Sequence, residues 1–176
     1  MKFLVLTDIH GSSKYLNLAI EKFNELKCEK MLLLGDILYH GPRNDLPENY
    51  NPKEVVEILN QYSDKIIAVR GNCDAEVDQM VLNFNLLEDA FLEESGVVYY
   101  LTHGHHTNAE EPADLKRGTV VLHGHTHIIK KDIVDEVEYL NIGSITLPKQ
   151  GTPRCYAVLD KSGVQVFDLN DKVIDF

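Results

Sequence analysis

The chain opens Met1-Lys2-Phe3-Leu4-Val5-Leu6-Thr7-Asp8-Ile9-His10-Gly11, a short apolar run that stops at a carboxylate and an imidazole. Lys2–Thr7 reads as a buried strand. Gly11 and Ser13 then break the pattern, and Ser13 can cap a helix that places Leu16, Ile20 and Phe23 on one face and ends near Lys27. Lys30–Leu34 is a second buried strand. A polar loop, His40–Asn51, follows with Pro42 and Pro47. Asn51, Pro52 and Glu54 form a good helix start: cap, proline in the first turn and capping-box glutamate. That helix carries Val55, Val56, Leu59 and Tyr62, and Ile66–Val69 is a third strand.

Strand–helix alternation to this point predicts a parallel sheet joined by right-handed crossovers. The second half is richer in strands: Glu88–Leu92, Val97–Thr102, Thr119–Leu122, Ile128–Val134, Glu138–Leu140, Cys155–Leu159 and Val164–Phe167, with a hairpin turn at Lys161-Ser162-Gly163. Glu110–Asp114 reads as a solvated helix start. Mixed or antiparallel pairing in this half predicts two packed sheets with helices outside.

Metal-competent residues collect where apolar runs end. Asp8 and His10 follow the first strand, Asp36 the second and Asn72 the third; His103 follows Val97–Leu101, and His125 and His127 follow Val120–Leu122. Ligands of open α/β sheets bind beyond the carboxyl ends of the strands, so these donors should converge on one crevice. They are too many for one catalytic zinc, which takes about three protein ligands. They suit two metals sharing a bridging carboxylate. Carboxylate, imidazole and amide donors without an obligatory thiolate fit Mn, Fe, Ni, Co or Zn. Two metals roughly 3.5–4 Å apart can activate a bridging water and clamp the oxygens of an in-line displacement at phosphorus.

The ordered motifs Asp8-Ile9-His10-Gly11, Gly35-Asp36, Gly71-Asn72-Cys73-Asp74, His103-Gly104-His105 and Gly124-His125-Thr126-His127 resemble the calcineurin-like metallophosphoesterase superfamily. Within it, the segments Gly35–Asn44 and Arg70–Asp74 resemble the small bacterial YfcE-type phosphodiesterases. The resemblance implies a four-layer α/β sandwich, two mixed β-sheets flanked by helices. It implies one metal held by Asp8, His10, Asp36 and His127 and another by Asp36, Asn72, His103 and His125, with Asp36 bridging and manganese the first choice. The implied enzyme is a phosphodiesterase that hydrolyses a small phosphodiester through a metal-bridging hydroxide. The alternative is a non-catalytic protein-interaction scaffold on the same fold. Many relatives place a histidine directly after the motif asparagine; here it is Cys73, and a thiol of ordinary pKa is a poor acid. His105 and Cys73 are the candidates for protonating the leaving group, with His106 nearby. Asn141-Ile142-Gly143-Ser144 departs from the YfcE-type pattern, which tends to have proline in place of Ile142.

Arg43 could grip a substrate phosphate through its forked guanidinium or anchor its own loop. Asn141 and Ser144 could brace metal ligands or build a turn. His123 fits a strand end or a site behind the ligands, His40 has no assigned role, and Cys28 and Cys155 fit small buried apolar positions.

Composition bounds these readings. The chain has 176 residues, which suits one domain over 1–176. With 17 basic and 28 acidic residues its net charge is −11, which argues against a double-stranded nucleic acid partner but not against a phosphate drawn to bound metal. Three scattered cysteines and no membrane span point to a reducing cytoplasm. Oligomeric state, a homo-oligomer included, is left open by the sequence.

Overall fold

The computed structural model describes residues 1–176. In chain order the elements are β1 (Phe3–Leu6), α1 (Ser13–Glu25), β2 (Lys30–Leu33), α2 (Pro52–Asn60), β3 (Ile66–Val69), β4 (Leu86–Leu87), β5 (Ala90–Glu94), β6 (Val97–Leu101), β7 (Val120–His123), β8 (Ile129–Val134), β9 (Val137–Ile142), β10 (Cys155–Asp160), β11 (Gly163–Asp168) and β12 (Val173–Ile174). Two mixed sheets result. A seven-stranded sheet runs β12-β11-β10-β1-β2-β3-β4, and a five-stranded sheet runs β5-β6-β7-β9-β8. The pairs β1–β2, β2–β3 and β3–β4 are parallel, as are β6–β7 and β7–β9. The remaining pairs are antiparallel, so every edge strand but β4 is antiparallel to its neighbour. The expected two-sheet α/β architecture is present. No helix is long and apolar enough to cross a membrane.

The inner strands are unbroken apolar runs because both faces are covered. Leu4 and Leu6 of β1 and Met31 and Leu33 of β2 join Leu16, Phe23, Val55 and Leu59 of the two helices in one core cluster. The alternate residues Phe3, Val5, Leu32 and Leu34 meet Tyr99, Leu101, Leu122 and Leu140 of the second sheet in another. Each such burial stabilises the fold by about 1.5–3 kcal/mol. A one-residue slip of β1 would exchange the two sets, so packing pins the position of Asp8 just beyond the strand. Cys28 and Cys155 are buried in these clusters, as expected.

Local details depart from the sequence reading. Ser12, not Ser13, caps α1: its Oγ accepts the N–H of Tyr15 at 3.4 Å. The helix stops at Glu25, and Lys27 turns the chain with φ +54°. Asn51 caps α2 as expected, accepting from the N–H of Glu54 at 3.3 Å. Glu110–Asp114 starts no helix. The Asn108 side chain accepts the N–H groups of Glu110 and Glu111 at 2.8 and 3.1 Å, and Pro112 follows. These bonds offer the backbone an alternative to helix. The outer face of the five-stranded sheet is therefore covered by irregular chain, with Ala109 and Leu115 packed on Tyr100, Val121, Val137 and Tyr139.

Candidate metal centre

The parallel strands β1, β2, β3, β6 and β7 deliver their carboxyl ends to one place. Beyond β1 and β2 the loops stay zipped: His10 N–H donates to Asp36 O at 2.9 Å and Gly11 N–H to Ile37 O at 2.8 Å. Beyond β6 and β7, Gly124 N–H donates to His103 O at 2.9 Å. Five donor-bearing residues sit in the left-handed region: Asp8 at φ +56°, His10 at +49°, Asp36 at +54°, His125 at +73° and His127 at +62°. Non-glycine residues there cost of order 1 kcal/mol or more each and persist only when surroundings over-determine them. Seven other non-glycine residues take positive φ, all in turns or loops; what sets these five apart is that they sit at the carboxyl ends of the parallel strands β1, β2 and β7.

The side chains meet at short range. Asp8 Oδ1 lies 3.1 Å from His127 Nε2 and 3.5 Å from His10 Nε2. Asp36 Oδ2 lies 3.3 Å from His103 Nε2 and 3.7 Å from His10 Nε2, between the two groups. Asn72 Oδ1 is 3.1 Å from His103 Nε2. The His125 ring stands 5.1 Å from that of His103. All of Asp8, His10, Asp36, His103 and His127 are buried, whereas Asn72 is exposed and His125 half-buried at the mouth. The structure thus brings the donor set of the sequence motifs together.

The imidazoles are aimed from behind. Nδ1 of His10 faces Tyr39 O at 2.7 Å, Nδ1 of His103 faces Leu34 O at 2.7 Å, and Nδ1 of His127 faces Leu147 O at 2.6 Å. A carbonyl can only accept, so each Nδ1 carries a proton, and Nε2 of each ring, when neutral, is the atom that would bind a cation at the centre. His10 Nε2 and His127 Nε2 then face one another at 3.1 Å. Asp8 Oδ2 accepts from Thr7 Oγ1 at 2.6 Å and from His125 N–H at 3.1 Å, while Oδ1 is buried without a hydrogen-bond donor. Converging acceptors and an orphaned carboxylate oxygen fit a bound cation. Asp8, His10 and His127 form one group that could hold a metal, and Asp8, Asp36 and His103 another.

Electrostatics agree in sign. Burial alone would push the Asp8 carboxyl up, but the imidazoles of His10 and His127 hold it well below the usual carboxylate range. Burial would lower His103, yet Asp36 and Asp8 raise it to about 9. Without metal, a proton therefore takes the place of a cation at His103. Burial and then the Asp36 charge push the Cys73 thiol up to about 12. Burial and the neighbouring histidines push His105 down to about 4.

Two glycines let the loops close. A Cβ on Gly71 would overlap Asp36 Oδ1 and its backbone N, and a Cβ on Gly124 would overlap Thr7 Oγ1 and Asp8 Oδ2. Asn141 Nδ2 donates to Gly124 O and Thr126 Oγ1, both at 2.8 Å, and so braces the loop of His125 and His127. Ser144 Oγ donates to Asp8 O at 3.1 Å and accepts from Leu147 N–H at 2.9 Å. These two bracing positions follow one of the two readings open from sequence. His123 ends β7, buried, with its ring behind the Gly104 backbone.

A cleft of about 580 Å³ opens over the centre, and Arg43, Asn72, Cys73, His125, His127 and Lys149 help to line it. His105 does not line it; its ring stands 5.4 Å from His103 and 6.1 Å from His125. Two residues with no role assigned from sequence stand out. Asp74 belongs to a quoted motif but shows its function only in three dimensions, by binding two loops together. Lys149 follows Ser144 by five residues, outside every quoted motif, and folding brings it to the cleft.

With fold and site in view, comparison with known proteins places the class. Residues 1–163 match the calcineurin-like phosphoesterase superfamily domain, and the chain belongs to that family. Among particular proteins, it is 41% identical over 177 residues to phosphodiesterase YfcE of Escherichia coli strain K12, covering 99% of this chain and 95% of that one. It is 28% identical over 152 residues to phosphodiesterase MJ0936 of Methanocaldococcus jannaschii, covering 81% and 83% of the two chains. The solved structure of YfcE, a phosphoesterase from E. coli, superposes with a TM-score of 0.95 at 40% identity over 99% of this chain and 97% of that one. Vps29 of Entamoeba histolytica in complex with zinc shares the fold, with a TM-score of 0.64 at 20% identity over 99% and 96% of the chains. The enzyme class expected from sequence is the one that the first two relatives carry in their names.

Proposed function

We propose that the chain is a binuclear metal-dependent phosphodiesterase that hydrolyses a small phosphodiester, working as one domain over residues 1–176. The observation that carries this reading is the set of inward-facing acceptors: Nε2 of His10 and His127 at 3.1 Å, with the undonated Asp8 Oδ1 beside them. Asp8, His10, Asp36 and His127 hold one divalent ion, and Asp36, Asn72, His103 and His125 hold the other. Manganese is the first choice, and Fe, Ni, Co and Zn suit the same nitrogen and oxygen donors. Two such ions, when bound, supply an activated water for attack at phosphorus and neutralise the charge on its oxygens.

The chain's own residues do the rest. The backbone carbonyls of Tyr39, Leu34 and Leu147 keep three imidazoles in one tautomer. Arg43, exposed on the cleft wall, forks onto two phosphate oxygens. Proton donation to the leaving oxygen is weak. Cys73, at about 12, holds its proton too tightly, and His105, at about 4, has none to give near neutrality. The reading therefore favours diesters whose leaving group is already stable as an anion. Free Cys28, Cys73 and Cys155 support action in a reducing cytoplasm, and the −11 charge supports a small substrate over a nucleic acid duplex.

The test is an aryl phosphodiester, bis(4-nitrophenyl) phosphate, offered to chelator-stripped protein and then to protein reloaded with Mn, Co, Ni or Zn. Stripping should abolish turnover and manganese should restore it, with about two metals bound per chain. Full turnover by verified metal-free protein refutes the mechanism. Inactivity with every metal favours the scaffold alternative.

A further inference from the structure

Lys149 sits at the first corner of a tight turn in which Gln150 and Gly151 both take positive φ, +52° and +78°. Thr152 N–H closes the turn on Lys149 O at 3.1 Å, and Thr152 Oγ1 donates to the same carbonyl at 2.8 Å. The turn is fixed to His127. Lys149 N–H donates to His127 O at 3.1 Å, Thr152 Oγ1 lies 3.2 Å from the same oxygen, and Leu147 O takes the ring proton of that histidine. Every one of these bonds uses the Lys149 backbone or a neighbour. The exposed Lys149 side chain is left to the cleft that it lines with Arg43. Six of the 17 basic side chains pair with carboxylates, and Arg43 and Lys149 are among those that do not.

A second cleft, about 460 Å³, shares His125 with the first and is lined by Gln150, the neighbour of Lys149. The exposed charges differ in sign: at the first cleft they are Arg43 and Lys149, its carboxylates Asp36 and Asp74 being buried. The one cation of the second cleft, Lys130, is bound to Asp132 at 2.9 Å, and Glu110 is left over.

We infer that Lys149 is a specificity-determining residue that selects phosphodiesters carrying a further anionic group on the arm directed into the Arg43 cleft, while the other arm, lying toward Glu110 and Asp132, is neutral. This rests on the phosphodiesterase reading above. Two opposite electrostatic environments flank one reacting centre, so the two arms of a diester are sorted by charge. The backbone bonds from Lys149 to His127 survive any non-proline substitution. Changing the side chain therefore removes the ammonium without unfastening His127.

The experiment uses ligand pairs of matched size. Metal-loaded protein is titrated with 2-phosphoglycolate and with 2-hydroxyethyl phosphate by calorimetry. KM is measured for the 4-nitrophenyl phosphodiesters of glycolic acid and of ethylene glycol. The carboxylate-bearing member should be preferred about tenfold at low salt in both measurements. Lys149→Met should bring both ratios toward one, Lys149→Arg should keep them, and high salt should shrink them. A ratio near one in the unaltered chain, or an unchanged ratio in Lys149→Met, overturns the inference. If neither diester is hydrolysed but the calorimetric preference appears and disappears with Lys149, the selectivity stands and the hydrolytic reading fails.

Discussion

Asp74 Oδ2 accepts the backbone N–H of Asp36 at 2.8 Å. The same carboxylate accepts from Ile37 N–H at 2.7 Å and from Gly71 N–H at 2.8 Å. One buried side chain thus ties the loop after β2 to the loop after β3, the two loops that carry Asp36 and Asn72. Cys73 N–H in turn donates to Asp36 Oδ1 at 2.8 Å, which leaves Oδ2 to face the histidines.

Asp74→Asn should therefore cost more than a surface change. An amide keeps one acceptor and turns its NH₂ toward backbone donors, leaving buried N–H groups unpaired. The expected loss is about 2–3 kcal/mol of stability, together with weakened metal binding through Asp36. Denaturant melts of metal-free protein and metal titrations check the two effects separately. A variant as stable as the parent would show that the loops do not need this tie.

Metal uptake should release protons. His103 is raised to about 9 in the metal-free protein because Asp36 and Asp8 outweigh burial, and an ion needs its neutral Nε2. The sign follows from the raised value. The protonated His103 contributes stability to the metal-free chain below about pH 6.5, the free-histidine value. That contribution is lost as pH rises through about 9. Metal affinity should accordingly increase over the same window. Calorimetry at pH 7.5 in two buffers of different ionisation enthalpy reads the proton count directly, and identical heats in both would contradict the charge assignment.

Asp36→Asn should harm the centre more than Asp8→Asn. Within 4 Å, Asp36 Oδ2 meets imidazoles of both proposed positions, His103 and His10, whereas Asp8 Oδ1 meets those of one, His10 and His127. Losing the shared carboxylate weakens both positions, so bound metal should fall from about two per chain toward one or none. Elemental analysis of dialysed variants decides it; two metals retained in Asp36→Asn would end the bridging assignment.

Most of this centre was legible in the sequence because parallel strands must release their ligands at one edge, and each motif follows an apolar run. The buried strands could be read for the same reason: Phe3–Leu6 is covered on both faces and has no polar residue to hide it. Other parts depend on contacts that no local pattern encodes. The turn between β8 and β9 is Asp135-Glu136, at φ +49° and +65°, with neither asparagine nor glycine to announce it. The two-residue strands Leu86–Leu87 and Val173–Ile174 are too short to show a period. Glu110–Asp114 looked like a helix start, but the Asn108 side chain captured the N–H groups first. Lys149 reaches the cleft only because its turn is pinned to His127, a relation of fold and not of spacing.

Cys73 supplies the sharpest kinetic expectation. A nitrophenolate leaves with little proton donation, while an alkoxide needs a general acid whose pKa is near the working pH. The thiol, pushed to about 12, is far from that condition. The unaltered chain should therefore prefer activated diesters steeply over alkyl esters. Cys73→His should raise the rate on poor leaving groups relative to good ones, since the position lines the cleft beside Asn72 and an imidazole titrates in the useful range. Cys73→Ser should leave the aryl diester rate within about tenfold, roughly 1.4 kcal/mol of barrier. A leaving-group series on the three proteins, with metal content matched, gives the slopes. Equal slopes for the cysteine and histidine forms would mean that this position does not reach the leaving oxygen. A large loss in the serine form with normal metal content would make the thiol itself necessary and contradict attack by an activated water.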